Sequence, residues 1–224
     1  RPGDAPRAPV RSVHGRDRWG HLPPAHRTVR QRVGVVSPAY TVVDIARHHG
    51  PLAGLVAADF ALRRQVQPEI PAYLAAQMSA YPGIGHAIWA LEHADARCES
   101  PLETLGRYAF IQAGRPAPLS NVWVCAGGVV RRVDHLIPEH GIVIEGDGDV
   151  KYDDRPDAAA IVTDEKARER WLRRLGFVVI RYTYQVARYH PAWLLAEVDR
   201  EIRNRGGRPA PTCWSLDPPW AMVG

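Results

Sequence analysis

Val129-Val130-Arg131-Arg132-Val133-Asp134-His135-Leu136-Ile137, followed after Pro138-Glu139-His140 by Gly141-Ile142-Val143-Ile144-Glu145-Gly146-Asp147, is the stretch on which the fold turns. Both segments are rich in β-branched residues and bounded by Pro or Gly, which reads as two strands. Alternation places Val133, His135 and Ile137 on one face and Arg132, Asp134 and Leu136 on the other. It likewise separates Ile142 and Ile144 from Val143, Glu145 and Asp147. A carboxylate in mid-strand among apolar neighbours is costly unless it is paired, hydrogen-bonded or metal-bound. If the strands form a hairpin, Asp134 and Glu145 converge near one end of the sheet. Two oxygen ligands completed by water and phosphate suit Mg²⁺, and a metal so held activates water and stabilises charge developing on a phosphodiester. Plainer roles are open as well: Asp134 paired with Arg131 or Arg132, and Glu145 with Asp147 at a solvated strand end.

Outward from this stretch, Asn121–Ala126 reads as a strand joined to Val129–Ile137 through a tight Gly127-Gly128 turn. Ser100-Pro101-Leu102-Glu103 opens a helix whose apolar positions Leu102, Leu105, Ala109 and Ala113 keep helical spacing, and Gly114 closes it. On the other side a polar, Asp-rich loop runs to about Thr163. A helix from Asp164 to Leu175, a strand from Phe177 to Thr183 expected at the centre of the sheet, and a helix from Pro191 to Arg205 follow. The order is α-β-β-β-α-β-α, an α/β arrangement over residues 98–206.

Residues 37–97 read as a helical region. Ser37-Pro38 supplies an N-cap and a first-turn proline, and further helices are expected at about 52–65, 69–80 and 82–95. Residues 1–36 read as basic and mostly irregular, with short strands around Val10–Val13 and Val33–Val36. Residues 207–224 read as a Pro-rich tail.

The net charge of +5 fits a polyanionic partner. Eight Arg lie in residues 1–32 and eleven Lys or Arg in residues 166–208, leaving an acidic stretch between them. No apolar run approaches the ~20 residues of a membrane helix, and the first thirty residues lack the apolar stretch of a signal peptide. Cys98, Cys125 and Cys213 read as free thiols, so a cytoplasmic protein is expected. Trp123, Trp171 and Trp193 read as core residues, and the ten His show no metal-ligand spacing.

Val133-Asp134, Ile144-Glu145-Gly146-Asp147-Gly148, Glu165-Lys166-Ala167-Arg168 and Leu175-Gly176-Phe177-Val178-Val179-Ile180-Arg181 together resemble the PD-(D/E)XK, or restriction-endonuclease-like, superfamily. They are most similar to bacterial proteins related to the very-short-patch mismatch-repair endonuclease. The resemblance covers roughly half the chain. Ser37 to Arg47 is similar to proteins that join such a domain to an abortive-infection antitoxin-like, DNA-binding module, although the winged helix expected at its start is not visible. The resemblance implies an α-β-β-β-α-β core and Mg²⁺-dependent cleavage of DNA, with Mn²⁺ as an alternative metal.

Carried over position by position, Asp134 and Glu145 become the metal ligands. Glu103 matches an acidic position that often completes such a site, yet Ser100-x-x-Glu103 is also a capping box, and both roles can hold. The superfamily places a Lys two residues after its acidic ligand, where this chain has Asp147. Lys151 either returns an ammonium from the following loop or merely offsets its acidic neighbours; a third alternative is a site that holds metal without cutting efficiently. Glu145-x-Asp147-x-Asp149 does not make a calcium loop, because Val150 stands where the sharp turn requires Gly. Arg168, Arg173, Arg174 and Arg181 are candidates for phosphate contacts, or a solvated face in the case of the helical ones; Arg181 could equally pair with Glu145. Two functions emerge: a metal-dependent DNA endonuclease, or a non-catalytic, antitoxin-type DNA-binding regulator on a degenerate nuclease fold.

Overall fold

Ser37 behaves as its sequence context requires: its hydroxyl accepts a hydrogen bond from the Tyr40 N–H and Pro38 begins the first long helix. The computed structural model describes residues 11–12, 15–16, 22, 24–148 and 158–222. Two short antiparallel pairs come first, β1 (Arg11–Ser12) with β2 (Gly15–Arg16) and β3 (Arg27–Arg30) with β4 (Val33–Val36). The helical region holds α1 (Pro38–His49), α2 (Pro51–Arg63), α3 (Glu69–Gln77) and α4 (Ile84–Glu92). Its core is built from small residues and a few large ones: Ala39, Val43, Ala46, Leu74, Ala75, Met78 and Ala87. Small residues let these helices approach closely; a Cβ on Gly54 would stand 2.5 Å from that of Ala46.

The second half follows as α5 (Pro101–Gln112), β5 (Leu119–Ala126), β6 (Val129–Ile137), β7 (Ile142–Asp147), α6 (Ala158–Arg174), β8 (Val178–Thr183), α7 (Tyr184–Tyr189), α8 (Pro191–Arg205) and β9 (Trp214–Ser215). The five strands lie in the order β8-β7-β6-β5-β9. Only β7 and β8 run parallel, joined by the crossover through α6. Gly127 and Gly128, with φ of 57° and 76°, make the two-residue turn between β5 and β6, where positive φ at both positions matches the strand twist.

One face of the sheet buries Ile142, Ile144, Ile180 and Tyr182 against Leu105, Phe110, Leu194 and Val198 of α5 and α8. The other buries Val122, Val124, Val133, Leu136 and Val143 against Leu172 and Phe177. Helices therefore cover both faces, a mixed α/β arrangement. No helix among the described residues is long and apolar enough to cross a membrane. The three cysteines are free thiols, with Cys98 buried.

Five expectations need correction. The segment after residue 207 is no mere tail: Trp214 and Ser215 pair with Val124 and Trp123, extending the sheet where β5 would otherwise be an open edge. Strand β8 is an edge rather than central, since the α6 crossover lays it outside β7 and the later β9 joins the opposite edge beside β5. Helix α6 begins at Ala158 instead of Asp164, because the Ala run favours helix over loop. The strand expected around Val33–Val36 is present, but Arg27–Arg30, expected to be irregular, pairs with it as a regular hairpin. Trp193 is 47% exposed on α8 and is no core residue.

Candidate functional site

Asp134 is the one residue of β6 that pairs with neither neighbouring strand. Strand β6 has a ladder with β5 that runs from Leu119↔Leu136 to Ala126↔Val129 and omits only the Asn121/Asp134 rung. Its ladder with β7 stops at His135↔Ile144, one step short of Asp134 and Glu145. Asn121 adopts φ 50°, a left-handed conformation that Asn tolerates better than most residues. The interruption resets the alternation. Val133 and Leu136, three positions apart, both pack in the cluster beneath α6, whereas Ile137 packs toward α8 and His135 reaches α5. The simple two-face reading of this strand is therefore wrong at the residue that matters most.

The freed backbone is used to hold side chains. The Gly146 N–H donates to Asp134 Oδ2 at 2.9 Å. Asn121 Nδ2 donates to the Arg97 carbonyl and to Glu103 Oε2, each at 2.6 Å. Glu103 also accepts from the Glu99 N–H at 2.8 Å and from Ser100 Oγ at 2.9 Å, while its own N–H donates to Ser100 Oγ. Ser100 thus caps the helix, and Glu103 reaches back one residue beyond the cap, to the Glu99 N–H, in a variant of the capping box. His135, fully buried, donates from Nε2 to the Glu103 carbonyl and leaves Nδ1 without a partner. Burial, then the nearby Arg107 charge, lowers its pKa to about 4, so it is neutral.

Three acidic side chains share this region, and all hold protons more tightly than free carboxyls do. Glu145, 6% exposed, is pushed up to about 7, chiefly by burial, with Asp134 reinforcing the shift and Arg168 opposing it. Asp134 is raised by burial against the pull of the Gly146 N–H and Arg168. Glu103 is raised by burial, and the Asp134 charge adds to this. Such a cluster is short of positive charge.

The cations nearby are arginines. Arg168, from α6, donates to Glu145 Oε1 at 2.7 Å and to the Arg132 carbonyl. Arg181 donates to Asp147 at 2.9 Å and lies 3.4 Å from Glu169 and 3.8 Å from Glu165. Its hydrogen-bond partner is therefore Asp147, not Glu145. Arg173 pairs with Glu169 on its own helix, and Arg174 is exposed at the helix end. Arg132 pairs with Glu99 instead of Asp134, and Arg131 turns to the Val130 carbonyl. Asp134, Glu145, Arg168 and Arg181 therefore come together, with Glu103 and Asp147 at the margins; Arg173 and Arg174 stand apart on the outer end of α6. Lys151 lies outside the described residues. Asn121 and Glu99 are the participants that sequence reasoning missed. The only signal for Asn121 was a polar, left-handed-tolerant residue at the head of an otherwise apolar strand.

No group of three or more His, Cys, Asp or Glu side chains among the described residues is arranged as a metal cage. The pair Asp134 and Glu145 nonetheless suits a hard cation. Both donors are carboxylate oxygens, burial raises their proton affinities, and Mg²⁺ characteristically takes one or two carboxylates and keeps several waters. A cavity of about 850 Å³ opens elsewhere, between α1, α2 and the start of α5.

The chain is similar to two uncharacterized proteins of Mycobacterium tuberculosis, from strains CDC 1551 / Oshkosh and ATCC 25618 / H37Rv. Each is 29% identical over 187 residues, covering 78% of this chain and 67% of the relative. No family model and no solved structure matches the chain.

Proposed function

We propose that the second half of the chain is a restriction-endonuclease-like nuclease domain that cleaves DNA with Mg²⁺ or Mn²⁺. The observation that carries this is the break at Asp134: the β5–β6 ladder skips it, the β6–β7 ladder ends just before it, and the Gly146 N–H, unpaired toward β6, orients its carboxylate. The α-β-β-β-α-β order of α5 to β8 agrees with the superfamily's core. A divalent cation held by Asp134 and Glu145 would supply an activated water and charge stabilisation at the scissile phosphate. Arg168 keeps Glu145 ionisable in its buried setting, and Arg181, bonded to Asp147, offsets part of a negative charge that acts on both Asp134 and Glu145. The test is Mg²⁺- and Mn²⁺-dependent cutting of labelled single- and double-stranded DNA by the full chain. Loss of cutting in EDTA and in Glu145→Ala supports the reading, and cutting that survives Glu145→Ala overturns it.

One observation favours the alternative, a non-catalytic antitoxin-type regulator. The position where the superfamily carries its Lys holds Asp147, tied to Arg181. A regulator would bind DNA with a steep salt dependence and indifference to Mg²⁺ and to Asp134→Ala.

A further inference from the structure

A line of arginines leads away from the carboxylate pair toward the helical region, and each step as far as Arg63 is a contact. Arg168 bonds both Glu145 and the Arg132 carbonyl. The Arg132 guanidinium forks both oxygens of Glu99, at 2.9 Å on Oε1, and Arg63 reaches the same Oε1 at 3.1 Å. Arg63, Glu99, Arg30, Arg64 and Phe60 then line the cavity beside α2. Aromatic rings accompany this line. Arg132 lies over Trp123 at 5.5 Å, Trp123 meets Trp220 edge-on at 4.9 Å, and Arg64 lies over Phe60 at 5.3 Å. Trp220 and Phe60 are 64% and 60% exposed. Arg63 and Arg132 thus meet Glu99, Arg168 meets Glu145, and Arg30 and Arg64 join the cavity wall, where Asp59 also lies.

We infer that Arg30, Arg63, Arg64, Arg132 and Arg168, with Trp220, form a track for an unpaired nucleic-acid strand running from the Asp134–Glu145 pair onto the helical region. The chemistry is specific to such a strand. The fork by which Arg132 grips a carboxylate is the one with which Arg grips phosphate, and the partly exposed pair it makes with Glu99 is cheap to exchange. Exposed indole and phenyl faces offer stacking to splayed bases, which every base can use and a closed duplex cannot. Arg30 and Arg64 make no ion pair among the described residues, so their charge is available.

This inference deepens the nuclease reading by naming the form of its substrate, and it is tested by binding in EDTA so that the two stand or fall separately. The full chain is titrated with a labelled single-stranded oligonucleotide at several salt concentrations, beside the double variant Arg30→Glu/Arg64→Glu, Trp220→Ala, and Arg188→Glu as a cation outside the track. The double variant is expected to flatten the salt dependence by about two counterions. Trp220→Ala should weaken single-strand binding about ten-fold with the slope unchanged, and Arg188→Glu should bind as the parent does. Circular dichroism of each variant confirms that the fold is kept. Equal binding by all four proteins, an equal loss in Arg188→Glu, tighter binding of duplex than of single strand, or no binding by the parent overturns the track. Absence of metal-dependent cutting alongside the expected binding pattern overturns only the nuclease reading.

Discussion

The backbone N–H of Gly146 donates to Asp134 Oδ2 across 2.9 Å, a side-chain bond standing where the β6–β7 ladder has no rung. A donor left unmet at a part-buried site such as this costs about 1 kcal/mol, the low end of the range for buried groups. Asp134→Ala should therefore lower stability by about that amount in urea denaturation as well as abolish cutting. Asp134→Asn, whose amide oxygen can still accept, should abolish cutting with a smaller loss of stability. Equal stability losses in the two variants would show that this bond is not what Asp134 contributes to the fold.

Glu145 ties stability to pH in the direction opposite to a salt-bridged surface carboxylate. Its folded pKa is raised from 4.5 to about 7 by burial, so the native state holds the proton more tightly than the unfolded chain does. The stabilisation associated with the protonated form is full below about 4.5 and is lost as pH rises through about 7. In EDTA, Glu145→Gln should match the parent at pH 4.5 and exceed it by on the order of 3 kcal/mol at pH 8. Thermal melts of the two proteins across this range provide the check. A constant difference between them would refute the assignment. Added Mg²⁺ should narrow the gap at pH 8 by stabilising the parent alone.

Asp59, 2% exposed on α2, accepts from Arg107 and Thr104 of α5 and from the Asp95 N–H, while Arg107 also donates to the His93 carbonyl. Removing one member of a buried ion pair strands the other charge, at about 3–5 kcal/mol. Arg107→Met and Asp59→Leu should each cost about that much by denaturant unfolding, and the double variant clearly less than the sum. Additive losses would mean that the two side chains contribute independently.

Strand β9 covers the open side of β5, and Cys213, Trp214 and Leu216 pack onto the cluster beneath α6. A chain ending at Arg208 should unfold at markedly lower urea concentration, and its exposed β5 edge should promote association in light scattering. An unchanged midpoint would make the segment dispensable.

The helices of the first half and the four principal strands of the second were legible because apolar spacing and capping residues act locally. Ser37-Pro38, Ser100-Pro101 and Gly127-Gly128 each do in space what they promise in order. The two candidate ligands were legible because a carboxylate amid β-branched neighbours is anomalous in any strand. What escaped was non-local. The slip of alternation at Asp134 depends on Asn121 of the facing strand, the edge position of β8 depends on the crossover, and the capture of Arg132 by Glu99 depends on how α5 sits against the sheet. Trp214 gave no sign of its role because a two-residue strand has no periodicity to read.

The Asp59–Arg107 bond has a bearing on how this chain can be rearranged. Composition suggests two cassettes, one helical and one α/β, that evolution or an engineer might shuffle freely. Yet a graft of residues 98–206 onto a different partner would bring a buried guanidinium without its carboxylate, and residues 37–97 would bring a buried carboxylate without its cation. Asp59, Asp95, Thr104 and Arg107 must travel together, so the unit of inheritance here is the joined pair, not either half.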